Sequence, residues 1–124
     1  MKYLWVGFGG ALGSIARYLV GLLVHERAGT RFPYGTFVVN IAGCFVMGLV
    51  LAVLDARLEL SPAWREAVPI GFIGAFTTFS TFEYETLRAM QNGEALAALA
   101  YVVSSVVLGL GAVWAGSCLG RGLA

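Results

Sequence analysis

The chain has 124 residues, of which 59% are hydrophobic and only 12% are charged, against roughly 25% charged residues in typical soluble domains. Its net charge of +1 leaves no basic face for nucleic acid, so the composition indicates a single-domain membrane protein. One histidine, His25, and two distant cysteines, Cys44 and Cys118, are too few for a metal cage or a Ser-His-Asp site.

Four segments have the roughly 20 mostly apolar residues that a membrane-spanning helix needs. They are residues 3–24, 34–54, 67–90 and 95–120. The third segment contains "GFIGAFTTFSTFEYET", and we expect its helix to break between Gly74 and Thr78. Broken backbone is tolerated at membrane depth where it is buried in protein or lines a polar cavity, and its freed carbonyls suit a cation.

Lysine and arginine in the short loops give almost no orientation signal. With four spans, the side shared by the N-terminus, middle loop and C-terminus carries four such residues, and the other side carries three. They are Lys2, Arg57, Arg65 and Arg121 against Arg27, Arg31 and Arg88. This balance predicts insertion in both orientations and pairing of two opposite copies. The alternative is one orientation with a weak bias.

The first two spans carry small and polar residues at helical spacing. Gly9 and Gly13 form a small-xxx-small pattern that favours close helix packing. Arg17, one turn further on, either snorkels to the interface or attracts anions in a vestibule. Asn40 in the second span lies one turn after Thr36. Its amide either bonds another helix or donates to a passing solute.

The third and fourth spans carry most of the hydroxyl groups. Phe79 and Phe82 share one face of the resumed third helix, and their positive ring edges can face an anion. A second face of that helix holds Thr78, Thr81 and Glu85. In the fourth span, Tyr101, Ser105 and Gly109 follow one line, with Ser104 beside Tyr101. These hydroxyls either line a pore or bond their own backbone.

Three blocks of the sequence resemble the signatures of the Fluc (CrcB) fluoride channels. The blocks are "GFGGALGSIARY", "YGTFVVNIAG" and "GFIGAFTTFSTFEYET", and chain length and span number are also similar. The resemblance implies a bacterial inner-membrane protein that passively releases fluoride and so lowers its cytoplasmic level. It also implies an antiparallel, dual-topology homodimer with two pores, each drawing residues from both subunits.

The resemblance also implies roles for particular residues. The pore residues would be Asn40, Phe79, Phe82, Ser80, Thr81, Tyr101 and Ser105, with Glu85 beside them and Arg17 in the vestibule. Backbone oxygens of Gly74 and Thr77 from both subunits would hold a structural Na⁺ that is not transported. The sequence departs from the family at Gly109, where some members have a further hydroxyl.

Two other protein classes fit parts of this pattern. A small four-span, proton-coupled multidrug exporter would share the length and charge balance, but it needs a carboxylate inside a span, usually the first. The first span has Arg17 and no acid. A non-transporting assembly subunit would explain the glycine faces but not the hydroxyl–phenylalanine run. An enzyme is disfavoured because no nucleophile–base pair is visible.

Overall fold

The computed structural model describes residues 1–123, and this part of the chain consists of helices and short connections, without a strand. The elements are α1 (Lys2–Ala28), α2 (Tyr34–Ala56), α3 (Pro62–Glu66), a π-helical segment (Ala67–Ile73), α4 (Gly74–Phe76), α5 (Phe79–Gln91) and α6 (Ala95–Leu123). The predicted all-α fold is therefore confirmed.

Three of these helices, α1, α2 and α6, are long and apolar enough to cross a membrane. They correspond to the first, second and fourth predicted spans. The predicted third segment is instead divided among short helices, from α3 to α5, because its helical hydrogen bonding is interrupted. The structure thus supports a helical membrane protein with three continuous spans and one interrupted segment.

The interrupted segment begins at Pro62, before the predicted start at residue 67, with Ser61 as N-cap and Pro62 in the first turn. The helix widens into the π-helical segment around Pro69, which has no N–H to donate within the helix. Helical geometry then stops at two residues of extended backbone, Thr77 (ψ 157°) and Thr78 (φ −148°, ψ 111°). The break therefore falls inside the predicted range.

Glycines let the helices approach to backbone contact. A Cβ on Gly9 would collide with the carbonyl oxygen of Ala67, and one on Gly13 with that of Phe72. The predicted packing role of this glycine pair on α1 is therefore confirmed, and its partner is the π-helical segment. Helices α2 and α6 pack in the same way, with Gly116 against the Phe45 carbonyl.

Two charged contacts tie the start of the interrupted segment to its neighbours. The Arg65 guanidinium donates to the carbonyl oxygens of Leu54 at 2.6 Å and Arg57 at 2.9 Å. These carbonyls lie at the C-terminal end of α2, where a cation is favourable. Glu66 lies 3.4 Å from the Lys2 ammonium group at the start of α1. Helix α3 is thereby tied to both α1 and α2.

Candidate functional site

Asn40 on α2 holds the helix break from the side. Its amide nitrogen donates to the Thr78 carbonyl oxygen at 3.0 Å, and its amide oxygen accepts from the Thr78 N–H at 2.8 Å. The Asn40 side chain thus satisfies both backbone groups of Thr78, a residue that is only 9% exposed. Of the two roles considered for the Asn40 amide, the structure shows the hydrogen bond to another helix. The second amide N–H of Asn40 takes no part in this bond.

Threonine side chains form hydrogen bonds with backbone groups at both ends of the break. Thr78 is the N-cap of α5, where its hydroxyl oxygen accepts from the Thr81 N–H at 3.3 Å. The hydroxyls of Thr78 and Thr81 are 2.9 Å apart. On the other side, the Thr77 hydroxyl donates to the Ile73 carbonyl at 3.1 Å. The interruption is therefore a built feature with its own hydrogen bonds.

These bonds divert two N–H groups from the carbonyls that they would meet in an uninterrupted helix. The Thr78 N–H would donate to Gly74 but donates to Asn40 instead. The Thr81 N–H would donate to Thr77 but donates to the Thr78 hydroxyl. The two carbonyls that lose their usual helical N–H partners in this way, those of Gly74 and Thr77, are the pair that the family resemblance implies as cation ligands.

Glu85 accepts hydrogen bonds from two other helices. One carboxylate oxygen accepts from the Thr36 hydroxyl of α2 at 2.8 Å, and the other accepts from the Tyr101 hydroxyl of α6 at 2.8 Å. Hydrogen bonds to a carboxylate are stronger than those between neutral groups. The phenol proton of Tyr101 is therefore engaged by Glu85 in this structure.

An aromatic cluster surrounds the Tyr101 ring, which is 2% exposed. Phe82 meets it edge to face, with centroids 4.9 Å apart and planes at 69°. Phe32, from the loop before α2, meets it at 5.0 Å and 79°. Phe79 lies 5.8 Å from Phe82, but it is 73% exposed whereas Phe82 is 6% exposed. The two phenylalanines are neighbours in very different surroundings.

A cavity of about 740 Å³ leads to this cluster and to the break. Its polar lining includes Ser14, Arg17, His25, Thr36, Thr78, Thr81 and Glu85. Arg17 is half-buried and forms no ion pair within residues 1–123, so its charge faces the cavity. The predicted face of Thr78, Thr81 and Glu85 lies along this wall, as the spacing indicated.

A second, smaller cavity of about 270 Å³ lies beyond the break. Asn40, Thr77 and Phe79 line it, and Thr78 borders both cavities. Helix α5 and the break therefore separate two open spaces, with polar groups on each side. The donors in these linings that can still serve an anion include the Thr81 hydroxyl, the second Asn40 N–H and the Arg17 guanidinium.

The serines of the predicted site differ in their bonding. The Ser104 hydroxyl donates to the Tyr101 carbonyl at 3.3 Å, so this residue follows the backbone-bonding alternative. The Ser105 hydroxyl oxygen is buried and has no hydrogen-bond partner within the described residues. Ser80 is exposed on α5. Gly109 faces α2, where a Cβ added to it would lie 3.5 Å from the Cys44 sulfur.

Three residues of the site were missed as site members by the sequence reasoning. Thr36 was noted only for its spacing from Asn40, and Thr78 only as the end of the expected break and for its place on a helical face. Their partners lie on other helices, so no local pattern identifies the bonds. Phe32 stands in a polar loop and carries no sequence signal for its contact with Tyr101.

Fold and site together define a class: a helical membrane protein with an interrupted helix and hydrogen-bond donors on either side of the interruption. The comparisons with known proteins specify it further. The family model described as "CrcB-like protein, Camphor Resistance (CrcB)" matches residues 4–117. The chain therefore belongs to the CrcB family.

The relatives share most of the chain. A protein of Acidobacterium capsulatum named "Fluoride-specific ion channel FluC" is 64% identical, over 98% of this chain and 97% of its own. Proteins of the same name from Solibacter usitatus and Nitratidesulfovibrio vulgaris are 50% and 45% identical, over 98% and 97% of this chain and 99% and 97% of their own. These names place the family among ion channels and not among enzymes, which confirms the resemblance given above.

Proposed function

We propose that this chain forms a channel through which fluoride leaves the cell passively, across the bacterial inner membrane. The observation that carries the proposal is the 64% identity, over almost the whole length of both chains, to a relative named as a fluoride-specific ion channel. The donor groups around the two cavities support it, because they suit an anion.

The chemistry of fluoride fits the donors of this site. Fluoride is small, strongly hydrated and a strong hydrogen-bond acceptor, so a protein must replace its water with several donors. Groups able to do so here are the second N–H of Asn40, the hydroxyls of Ser80, Thr81 and Ser105, and the ring edges of Phe79 and Phe82. Positive ring edges hold an anion weakly enough to let it go, as conduction requires.

The path would begin at the larger cavity. Arg17 raises the local concentration of anions there, because its charge is not paired. The anion would then pass the wall of α5 toward Phe82, which is buried against the Tyr101 ring. Chloride is larger and accepts hydrogen bonds less strongly, so a narrow path of this kind penalises it.

We further propose four spans and an antiparallel dimer of two oppositely inserted copies. In this arrangement the segment from α3 to α5 is the third span, interrupted at mid-membrane. The near-equal charge of the two sides supports dual insertion. The 73% exposure of Phe79, next to a buried Phe82, supports a second copy at this surface. A partner would cover Phe79 and complete the donor set around each path.

A structural Na⁺ between the two copies is part of the proposal. Backbone carbonyls are hard oxygen ligands, which suit a hard cation. The carbonyls of Gly74 and Thr77 are supported for this role because their usual helical N–H partners bond elsewhere. When bound, the ion would supply positive charge at the midplane and join the two broken helices. It would not be transported.

Passive flux is sufficient to protect a cell. A membrane potential of about 100 mV, negative inside, is worth roughly 2.3 kcal/mol for one charge. At about 1.4 kcal/mol per tenfold, it holds fluoride inside the cell about fifty-fold lower than outside. Fluoride that enters as HF and dissociates is therefore expelled without coupling to protons or ATP.

A flux assay tests the function. Purified protein is reconstituted into liposomes loaded with potassium fluoride or chloride, and efflux is started with a potassium ionophore. We expect rapid loss of fluoride and almost no loss of chloride. Uptake of an organic cation driven by a proton gradient, without fluoride flux, would instead identify the multidrug exporter. Cross-links or epitope tags that find a single orientation would refute the antiparallel dimer.

A further inference from the structure

The break in the third segment depends on α2. Both backbone groups of Thr78 are bonded by one side chain, Asn40, which lies about one helical turn before Gly43. Gly43 is also required at this place, because a Cβ on it would collide with the Thr77 methyl group. Asn40 of α2 thus contacts Thr78, and Gly43 of α2 leaves room for Thr77.

The hydrogen bonds of Thr78 decide between two backbone arrangements. In an uninterrupted helix its N–H would donate to the Gly74 carbonyl. Here the Asn40 oxygen accepts that N–H at 2.8 Å, and the Asn40 amide supplies a donor to the Thr78 carbonyl at 3.0 Å. Without this side chain, the buried N–H of Thr78 would lack a partner, and donation to Gly74 would be the nearest remedy.

We infer that Asn40 is a positioning residue for the proposed cation site: by holding Thr78, it keeps the Gly74 carbonyl available as a ligand. The inference rests on the proposed channel and its structural Na⁺. It gives Asn40 a role besides that of a fluoride donor, and it predicts that changes at Asn40 alter the response to Na⁺ as well as the flux of fluoride.

The variants separate the two hydrogen bonds. Asn40→Ala removes both of them. Asn40→Asp retains an acceptor for the Thr78 N–H but loses the donor to the Thr78 carbonyl and sets a carboxylate against it. Phe82→Ile is the matched control, because Phe82 belongs to the proposed fluoride path but makes no contact with the break through a hydrogen bond.

The measurement is thermal stability of the full-length protein in detergent, at Na⁺ concentrations exchanged against N-methylglucamine at constant ionic strength. Wild type and Phe82→Ile should be stabilised by Na⁺ with the same half-maximal concentration. In Asn40→Ala that concentration should rise about tenfold or more, because a buried N–H then competes for the Gly74 carbonyl. The half-maximal Na⁺ concentration of Asn40→Asp should lie between those of wild type and Asn40→Ala.

The outcomes are distinct. If Asn40→Ala lowers stability equally at every Na⁺ concentration, or blocks fluoride flux with a wild-type Na⁺ response, Asn40 does not position the site and the inference is wrong. If wild type itself shows no Na⁺ response, the cation site fails and the inference fails with it. Fluoride flux in wild-type liposomes, measured in parallel, reports on the channel function separately.

Discussion

The contact between α2 and α6 gives a sharp test of the packing. The change is Gly116→Ala, which places a Cβ against the carbonyl oxygen of Phe45 and 3.0 Å from the Leu49 nitrogen. Both are backbone atoms, so neither can rotate away as a side chain does, and the helices must separate. Overpacking of this kind costs about 1–3 kcal/mol.

Gly111→Ala is the matched control on the same helix, because a Cβ there meets nothing within 4 Å. Both variants gain the same helix propensity, about 1 kcal/mol, so their difference isolates the collision. We expect Gly116→Ala to unfold more readily than Gly111→Ala by about 1–3 kcal/mol. Unfolding of detergent-solubilised protein by sodium dodecyl sulfate, followed by circular dichroism, measures this. Equal stability of the two variants would refute the backbone contact.

Three further predictions concern the ion path. Phe82→Ile should reduce fluoride efflux from liposomes at least about tenfold, equivalent to about 1.4 kcal/mol, while gel filtration still shows the dimer; wild-type efflux would remove Phe82 from the path. Arg17→Gln should lower fluoride current more at 0.01 M than at 1 M ionic strength, because the screening length falls from about 30 Å to about 3 Å; a loss independent of salt would contradict a vestibule charge. Ser105→Ala should reduce efflux without loss of stability, since its hydroxyl has no protein partner to lose. Ser104→Ala, which removes a hydroxyl bonded to its own helix, should leave efflux unchanged; equal effects of both serines would refute the distinction.

Local features of this protein were predictable from the sequence. The break near Gly74 to Thr78 and the close packing of Gly9 and Gly13 both follow from residue types at helical spacing. The residue types mark where each feature lies, but the elements that contact them, α2 at the break and the π-helical segment at the glycines, lie elsewhere in the chain.

Contacts between helices could not be predicted in this way. Asn40 and Thr78 are 38 residues apart, and Thr36 and Glu85 are 49 apart. The sequence shows that a buried amide needs partners, but it does not name them. From the sequence, the Asn40 amide could therefore either bond another helix or donate to a solute. Only the packing of α2 against the break identifies Thr78 as its interhelical partner.

Glu85 illustrates what these bonds mean for an anion path. A carboxylate in the wall of such a path would repel fluoride if its charge were unopposed. Here its two oxygens accept hydroxyl hydrogen bonds from Thr36 and Tyr101, and Arg17 lines the same cavity. The two hydroxyl dipoles partly screen the carboxylate charge, and Arg17 adds an opposite charge to the same cavity without pairing with Glu85.

The same bonds also occupy two hydroxyl donors, so Thr36 and Tyr101 do not offer them to fluoride while Glu85 holds them. In the proposed path, donors without a protein partner, such as the buried Ser105 hydroxyl, would be the ones left for the ion. Hydrogen bonding thus divides these similar polar residues into two groups. Thr36 and Tyr101 hold Glu85 in place, whereas residues such as Ser105 would line the proposed path.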